Sequence, residues 1–199
     1  MKITQNQKRS LKAFTLIEMI GVLAVIAILA ALLIPKIFEA INSARVNNCI
    51  VSYNTVKAAV MDHYGKYGAI DSYFGTNAMT TAQKDNYDNT LLSEGFLDKP
   101  FNVKVGTNWI VRAVAPGSSG GSPVGYSLTT NASQNDVQGA SLVVEAVIQG
   151  VPLPDAYDIS TRLDGALLSA AGTTNADNIG RVKYQATSPT TLYMYITHR

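Results

Sequence analysis

The chain opens with an abrupt change of polarity. Residues 1–13 (MKITQNQKRSLKA) carry Lys2, Lys8, Arg9 and Lys12 and no acid, and from Phe14 to Ile34 every residue is apolar except Thr15, Glu18 and Gly21. That run supplies the ~20 residues a helix needs to cross a bilayer. Four cations before it keep the N-terminus cytoplasmic and put the residues beyond Pro35 outside. The stretch after the run (Pro35, Lys36, Ile37, Phe38, Glu39) lacks the small-x-small site of an ordinary secretory signal. Apolar side chains then recur at Ile37, Phe38, Ile41, Ala44, Val56, Ala59, Val60 and Tyr64, mostly at spacings of three and four. That spacing predicts an amphipathic continuation of the helix over 36–65, less regular between Asn47 and Val51. One helix from 14 to 64 would extend roughly 75 Å, with a kink expected at Pro35 and stops at Gly65 and Gly68.

Downstream the periodicity changes. A short helix is predicted from Thr80 or Thr81 through the A-Q-K-D-N-Y-D-N-T-L-L-S-E run, ending at Gly95. Strand-like runs follow at 102–105, 109–115, 126–129, 141–148, 181–187 and 191–197. The P-G-S-S-G-G-S-P segment at 116–123 reads as a loop. Pro154-Asp155 opens another short helix to about Leu163, stopped by Gly165, and 169–178 reads as a polar loop. Antiparallel strands need an apolar partner, and the outer half of the N-terminal helix supplies one. The expected fold is therefore α+β: a protruding N-terminal helix whose outer half packs on an antiparallel sheet in a globular domain over 66–199. The last two strands, around Ser188-Pro189-Thr190, form a closing hairpin.

Charge sharpens the division. The net charge of +2 comes from the first thirteen residues; without their four cations, 12 basic residues face 14 acidic ones. The lone Cys49 excludes an internal disulfide.

A short basic leader, then F-T-L-I-E, then some twenty apolar residues resembles the class III signal of type IV pilins and type II secretion pseudopilins. The resemblance rests on residues 8–35 and is extended by the long helix. It implies cleavage between Ala13 and Phe14 by a prepilin peptidase of the membrane and N-methylation of the new Phe14 amine. It also implies polymerisation through the apolar helix, with Glu18 guiding assembly and Pro35 matching a proline common in such helices. The position before the cut is usually Gly in that family; Ala13 places an extra methyl group at the scissile bond. Many members clasp the C-terminal loop with a disulfide, a task assigned here to the closing hairpin.

Glu18 also carries a physical argument. A carboxylate in mid-bilayer costs about 2.5–3.5 kcal/mol; its place in the first helical turns softens this through the helix dipole. After cleavage the Phe14 amine of a staggered neighbour offers a counter-charge, so docking relieves the acid and sets the axial register. The bland alternative is an acid that snorkels to the headgroups.

Other chemistry is sparse. Cys49 and His63 lie about 21 Å apart along one helix, too far for a dyad, and His198 is remote. No nucleophile elbow, zinc-binding helix or phosphate-cradling glycine loop occurs, so no enzyme and no cofactor are expected. Cys49 reads as a small apolar residue at a helix contact. Asp85, Asp88 and Asn89, or Asp155, Asp158 and Asp164, offer oxygens to calcium, but neither set has a calcium-loop spacing and solvated helix faces account for both. Some type II pseudopilins bind calcium in C-terminal loops, and no segment here clearly matches theirs. Tyr193 and Tyr195 share a sheet face, with Tyr184 expected nearby. Lys99, Lys104, Arg112, Arg162, Arg181, Lys183 and Arg199 are scattered, so nucleic-acid binding is not expected.

The expected function is a structural pilus subunit for adhesion, motility or DNA uptake, associating with itself, other pilins and the inner-membrane assembly machinery. The alternatives are a pseudopilin of a secretion system and a membrane-tethered binding module that does not polymerise. The chain is expected in the inner membrane first, then in an extracellular pilus or a periplasmic pseudopilus.

Overall fold

The computed structural model describes residues 14–74, 77–116, 125–130, 136–137, 142–170 and 172–199. Helix α1 (Leu16–Tyr67) is one 52-residue element with Pro35 inside it. The chain divides into two units, one through Ile41 and one from Asn42 onward.

In the first unit every described residue is exposed, consistent with a helix whose partner is lipid or another chain. α1 is the one helix among the described residues long and apolar enough to cross a membrane.

In the second unit α1 buries Val46, Cys49, Tyr53, Val56, Val60 and His63. Their spacing alternates three and four, which holds one narrow stripe on a helix. Ile37, Phe38, Ile41 and Ala44, expected on the buried face, are exposed; the globular unit begins at Asn42 and its first buried helix residue is Val46. Tyr64 is also exposed, because the stripe passes through His63 instead. The helix runs through Gly65 and stops at Gly68, whose φ of +70° is left-handed and whose N–H returns to the Tyr64 carbonyl at 2.7 Å.

A two-stranded hairpin follows, β1 (Ser72–Tyr73) and β2 (Asn77–Ala78), then α2 (Thr81–Asp85) and α3 (Tyr87–Ser93). Thr80 and Gln83 form a capping box at α2. The expected single helix breaks at Asn86 (φ −124°, ψ 62°). The local Asp/Asn-rich sequence explains this, since such side chains offer the backbone competing hydrogen bonds; the Asn86 amide reaches back to the Ala82 carbonyl.

The main sheet is antiparallel, in the order β3 (Asn108–Val114), β4 (Val143–Val151), β6 (Thr190–His198), β5 (Val182–Lys183), with α4 (Leu153–Asp164) between β4 and β5. Val144, Ala146 and Ile148 of β4 and Leu192 and Met194 of β6 share the core cluster with the α1 stripe. The opposite face of the sheet carries Val143 and Tyr195, which cluster with Tyr126 and Val137. β4 is thus covered on both faces, which accounts for its long buried run.

Several expected strands are corrected. Residues 101–105 alternate buried and exposed, as the pattern required, but join no sheet. α2 and α3 pack beside β3 instead. Tyr126–Thr129 is also not a strand, and the expected 181–187 strand shortens to two residues because Tyr184 pairs with Asp177. Tyr184 joins the core cluster on the α1 side, so it does not share the face of Tyr193 and Tyr195. The closing hairpin forms, with Met194 opposite Val182 and Tyr193 opposite Lys183. Residues 117–123 of the expected loop lie outside the described residues.

Candidate assembly segment and its surroundings

The sequence Thr15-Leu16-Ile17-Glu18 begins α1 with a local hydrogen-bond exchange. The Thr15 N–H and hydroxyl both donate to Glu18 Oε2 at 2.8 Å, and the Glu18 N–H donates to Thr15 Oγ1 at 3.3 Å. This is a capping box, with Thr15 at the N-cap and Glu18 at the third helical position. It satisfies two of the main-chain donors that a helix start leaves orphaned. Glu18 Oε1 accepts no hydrogen bond among the described residues. Phe14, directly before the cap, is 76% exposed. Thr15 was not singled out from sequence, although T-x-x-E before an apolar run is a recognisable signal.

Ala13 and the rest of the 1–13 leader lie outside the described residues. Pro35 sits within α1, and Lys36 and Glu39 form an exposed ion pair one turn on, at 2.9 Å.

The calcium candidates are not brought together. Asp88 is buried and its carboxylate accepts the Phe101 N–H at 3.1 Å, whereas Asp85 and Asn89 are exposed. Asp164 is committed to backbone: Oδ2 accepts the N–H groups of Arg181 and Val182, both at 2.8 Å, and Oδ1 accepts from Arg181 Nε at 3.2 Å. Asp155 and Asp158 stay on the outer side of α4. Burial pushes the Asp88, Asp164 and Asp177 carboxyls up from their ordinary values, against the pull of their N–H and hydroxyl donors. Among the described residues no three His, Cys, Asp or Glu side chains converge.

Cys49 is buried in the α1 stripe. His63 is also buried there, with Tyr67, Tyr87 and Phe96 edge-on around its ring and Glu94 Oε2 2.8 Å from Nδ1. The other Glu94 oxygen accepts the N–H of Phe74, a non-glycine residue at φ +47°. His198 contacts Tyr195 at the far end of the chain.

The scattered cations are mostly spoken for. Arg112 pairs with the buried Glu145, whose second oxygen accepts the Tyr126 hydroxyl at 2.6 Å. Burial and that carboxylate hold the Tyr126 hydroxyl well above its ordinary value. Arg162 reaches Asn47 and Ser43 on α1, Lys183 the Gly125 carbonyl, and Arg199 Asp71. Lys99 and Lys104 remain exposed.

Comparison with known proteins locates the relationship at the N-terminus. No curated protein and no solved structure matches the chain. Residues 8–34 match the model of the prokaryotic N-terminal methylation motif, a span that begins in the basic leader and ends with the apolar run. A long apolar N-terminal helix followed by an antiparallel-sheet domain, with its single cysteine unpaired, accompanies that motif. Residues 8–34 thus carry the class III prepilin signal found on type IV pilins and pseudopilins.

Proposed function

We propose that the chain is a structural subunit of a type IV pilus. It is inserted in the inner membrane with its N-terminus inside, cut between Ala13 and Phe14, N-methylated on Phe14 and polymerised through the apolar part of α1. It acts by assembly with itself and other pilins, without a catalytic centre or cofactor. The observation that carries this reading is the methylation motif at 8–34, continued by a helix exposed along its whole apolar run.

Glu18 has a defined part in the proposal. Its Oε2 is occupied by Thr15, which leaves Oε1 to receive the Phe14 amine of an adjacent subunit. The cap holds the carboxylate in one rotamer, so the entropy lost on docking is smaller than for a free side chain. A neighbour's ammonium then compensates a charge that lipid does not solvate.

The motif serves pseudopilins equally, and that is the second reading. Electron microscopy of cells expressing the chain separates the two: long surface fibres containing it support a pilus, and short periplasmic polymers a pseudopilus. Mass spectrometry of the mature subunit should give an N-methylated Phe14; a chain starting elsewhere defeats the processing claim. Glu18→Ala should insert in the membrane normally and fail to form ordered filaments. Normal filaments from that variant refute the assembly role, and membrane-bound protein with no polymer even when overproduced favours a tethered module.

A further inference from the structure

A groove of about 540 Å³ runs beside β3, between that strand, α3 and the segment around Asn102. Its walls are unusually rich in side-chain amides. Asn89, Asn102, Asn108 and Gln149 line it together with Trp109 and Arg112. The amides of Asn89 and Asn102 make no hydrogen bond among the described residues. Asn108 spends only one N–H, on Gln149 Oε1 at 3.2 Å, which leaves its own oxygen and the Gln149 NH2 open. Trp109 is half-buried, packed partly against the core and partly on the groove.

The groove is polar but electrically quiet. The Arg112 guanidinium is neutralised by Glu145, at 2.7 and 2.9 Å. The Asp88 carboxylate at the groove floor is occupied by the main-chain N–H groups of Phe101 and Val111. An anion would find no uncommitted cation here, and a cation no uncommitted acid. The Val111 bond also takes up a donor of the β3 edge, which disfavours addition of a peptide strand.

We infer that this groove binds a neutral carbohydrate chain. A pyranose ring presents adjacent hydroxyls, each both donor and acceptor, and an amide presents a donor and an acceptor at matching separation. An indole adds a flat apolar surface for the C–H face of the sugar. Concave shape, several convergent unpaired polar groups and one aromatic are what small-ligand sites share. The inference concerns the globular unit alone and stands whether or not the chain polymerises.

Trp109 is the only tryptophan, so its emission reports on the groove directly. The full-length chain, held in phosphocholine micelles to keep sugar-headed detergents out, is titrated with neutral gluco-, manno- and chito-oligosaccharides. At least one should change Trp109 emission saturably, and Asn89→Ala/Asn102→Ala should weaken that response about tenfold or more. Both positions are exposed, so the double variant should keep its circular dichroism spectrum, and Asn54→Ala on the exposed side of α1 should bind as the parent does. No saturable change up to millimolar sugar overturns the inference. So does an unchanged response in the double variant, or saturation only by charged saccharides or by extended peptides.

Discussion

Asp164 should be among the most costly polar side chains to remove from the globular unit. Its carboxylate is fully shielded and holds the start of β5 through the N–H groups of Arg181 and Val182. Asp164→Ala leaves both donors without an acceptor. An unsatisfied buried donor costs about 1–3 kcal/mol. The ion pair adds little, because the Arg181 side chain is 42% exposed and water screens it. The expected loss is about 2–4 kcal/mol, or roughly 5–15 °C in melting temperature for a domain of this size. Asp164→Asn keeps one oxygen where both N–H groups converge and should cost only about 1 kcal/mol. Thermal unfolding of the detergent-solubilised full chain, followed by circular dichroism in the β-sheet region, measures both. A melting temperature for Asp164→Ala within 2 °C of the parent (an interval set by ~0.5–1 kcal/mol) would show that the donors find water or new partners, and the reasoning would fail.

Two further outcomes are expected. Thr15→Val removes the cap on Glu18, worth about 1 kcal/mol to a helix start, and should lower filament yield at unchanged membrane insertion; Thr15→Ser keeps the box and should restore the yield, and equal yields for all three chains would dissociate the cap from assembly. Burial raises the Asp88, Asp164 and Asp177 carboxyls, so the folded chain binds their protons more tightly than the unfolded one; the linked stability is complete below the ordinary carboxylate value of about 4 and is lost as pH rises through the raised values. The melting temperature should therefore climb as pH falls toward about 4, with a smaller slope in Asp177→Asn; a flat or inverted profile in the parent contradicts this.

The sequence announced some of these features and concealed others for identifiable reasons. The apolar run, the helix after it and three of the four main strands were legible because their periods extend over many residues. The buried stripe of α1 was placed too early. Ile37, Phe38 and Ile41 satisfy a helical period as well as Val46 and Val56 do, and periodicity alone does not say whether a stripe faces a sheet, lipid or another subunit. The 101–105 segment has a strand's alternation and no strand partner, because α2 and α3 pack beside β3, which sequence periodicity does not reveal. As a titratable side chain, His63 reads first as candidate chemistry. Its alternation with Val60 and Val56 at three and four residues was enough to place it in the core. Thr15 is legible as the cap partner three positions before Glu18, although the charge at Glu18 is the stronger signal in that stretch.

How the C-terminal part stays closed without a disulfide follows from the same carboxylates. A bridge across the eighteen-residue separation between Asp164 and Val182 would be worth about 3 kcal/mol, mainly by restricting the unfolded chain. Asp164 delivers a comparable energy by a different route, by accepting two main-chain donors in the folded state. Asp177 adds a second tie, from the Ser160 hydroxyl at 2.6 Å, and Ser160 in turn reaches Ser169 at 3.1 Å. Strand pairing alone would be a weak substitute, since β5 contributes only two residues to the sheet. The carboxylates therefore hold β5 and the loop before it to α4, while the short ladder joins β5 to β6. That choice makes the closure sensitive to proton concentration and insensitive to redox state, the reverse of what a disulfide provides. Because the energy resides in the native contacts, losing a clasp should first loosen the start of β5, whereas losing a disulfide would first free the unfolded chain.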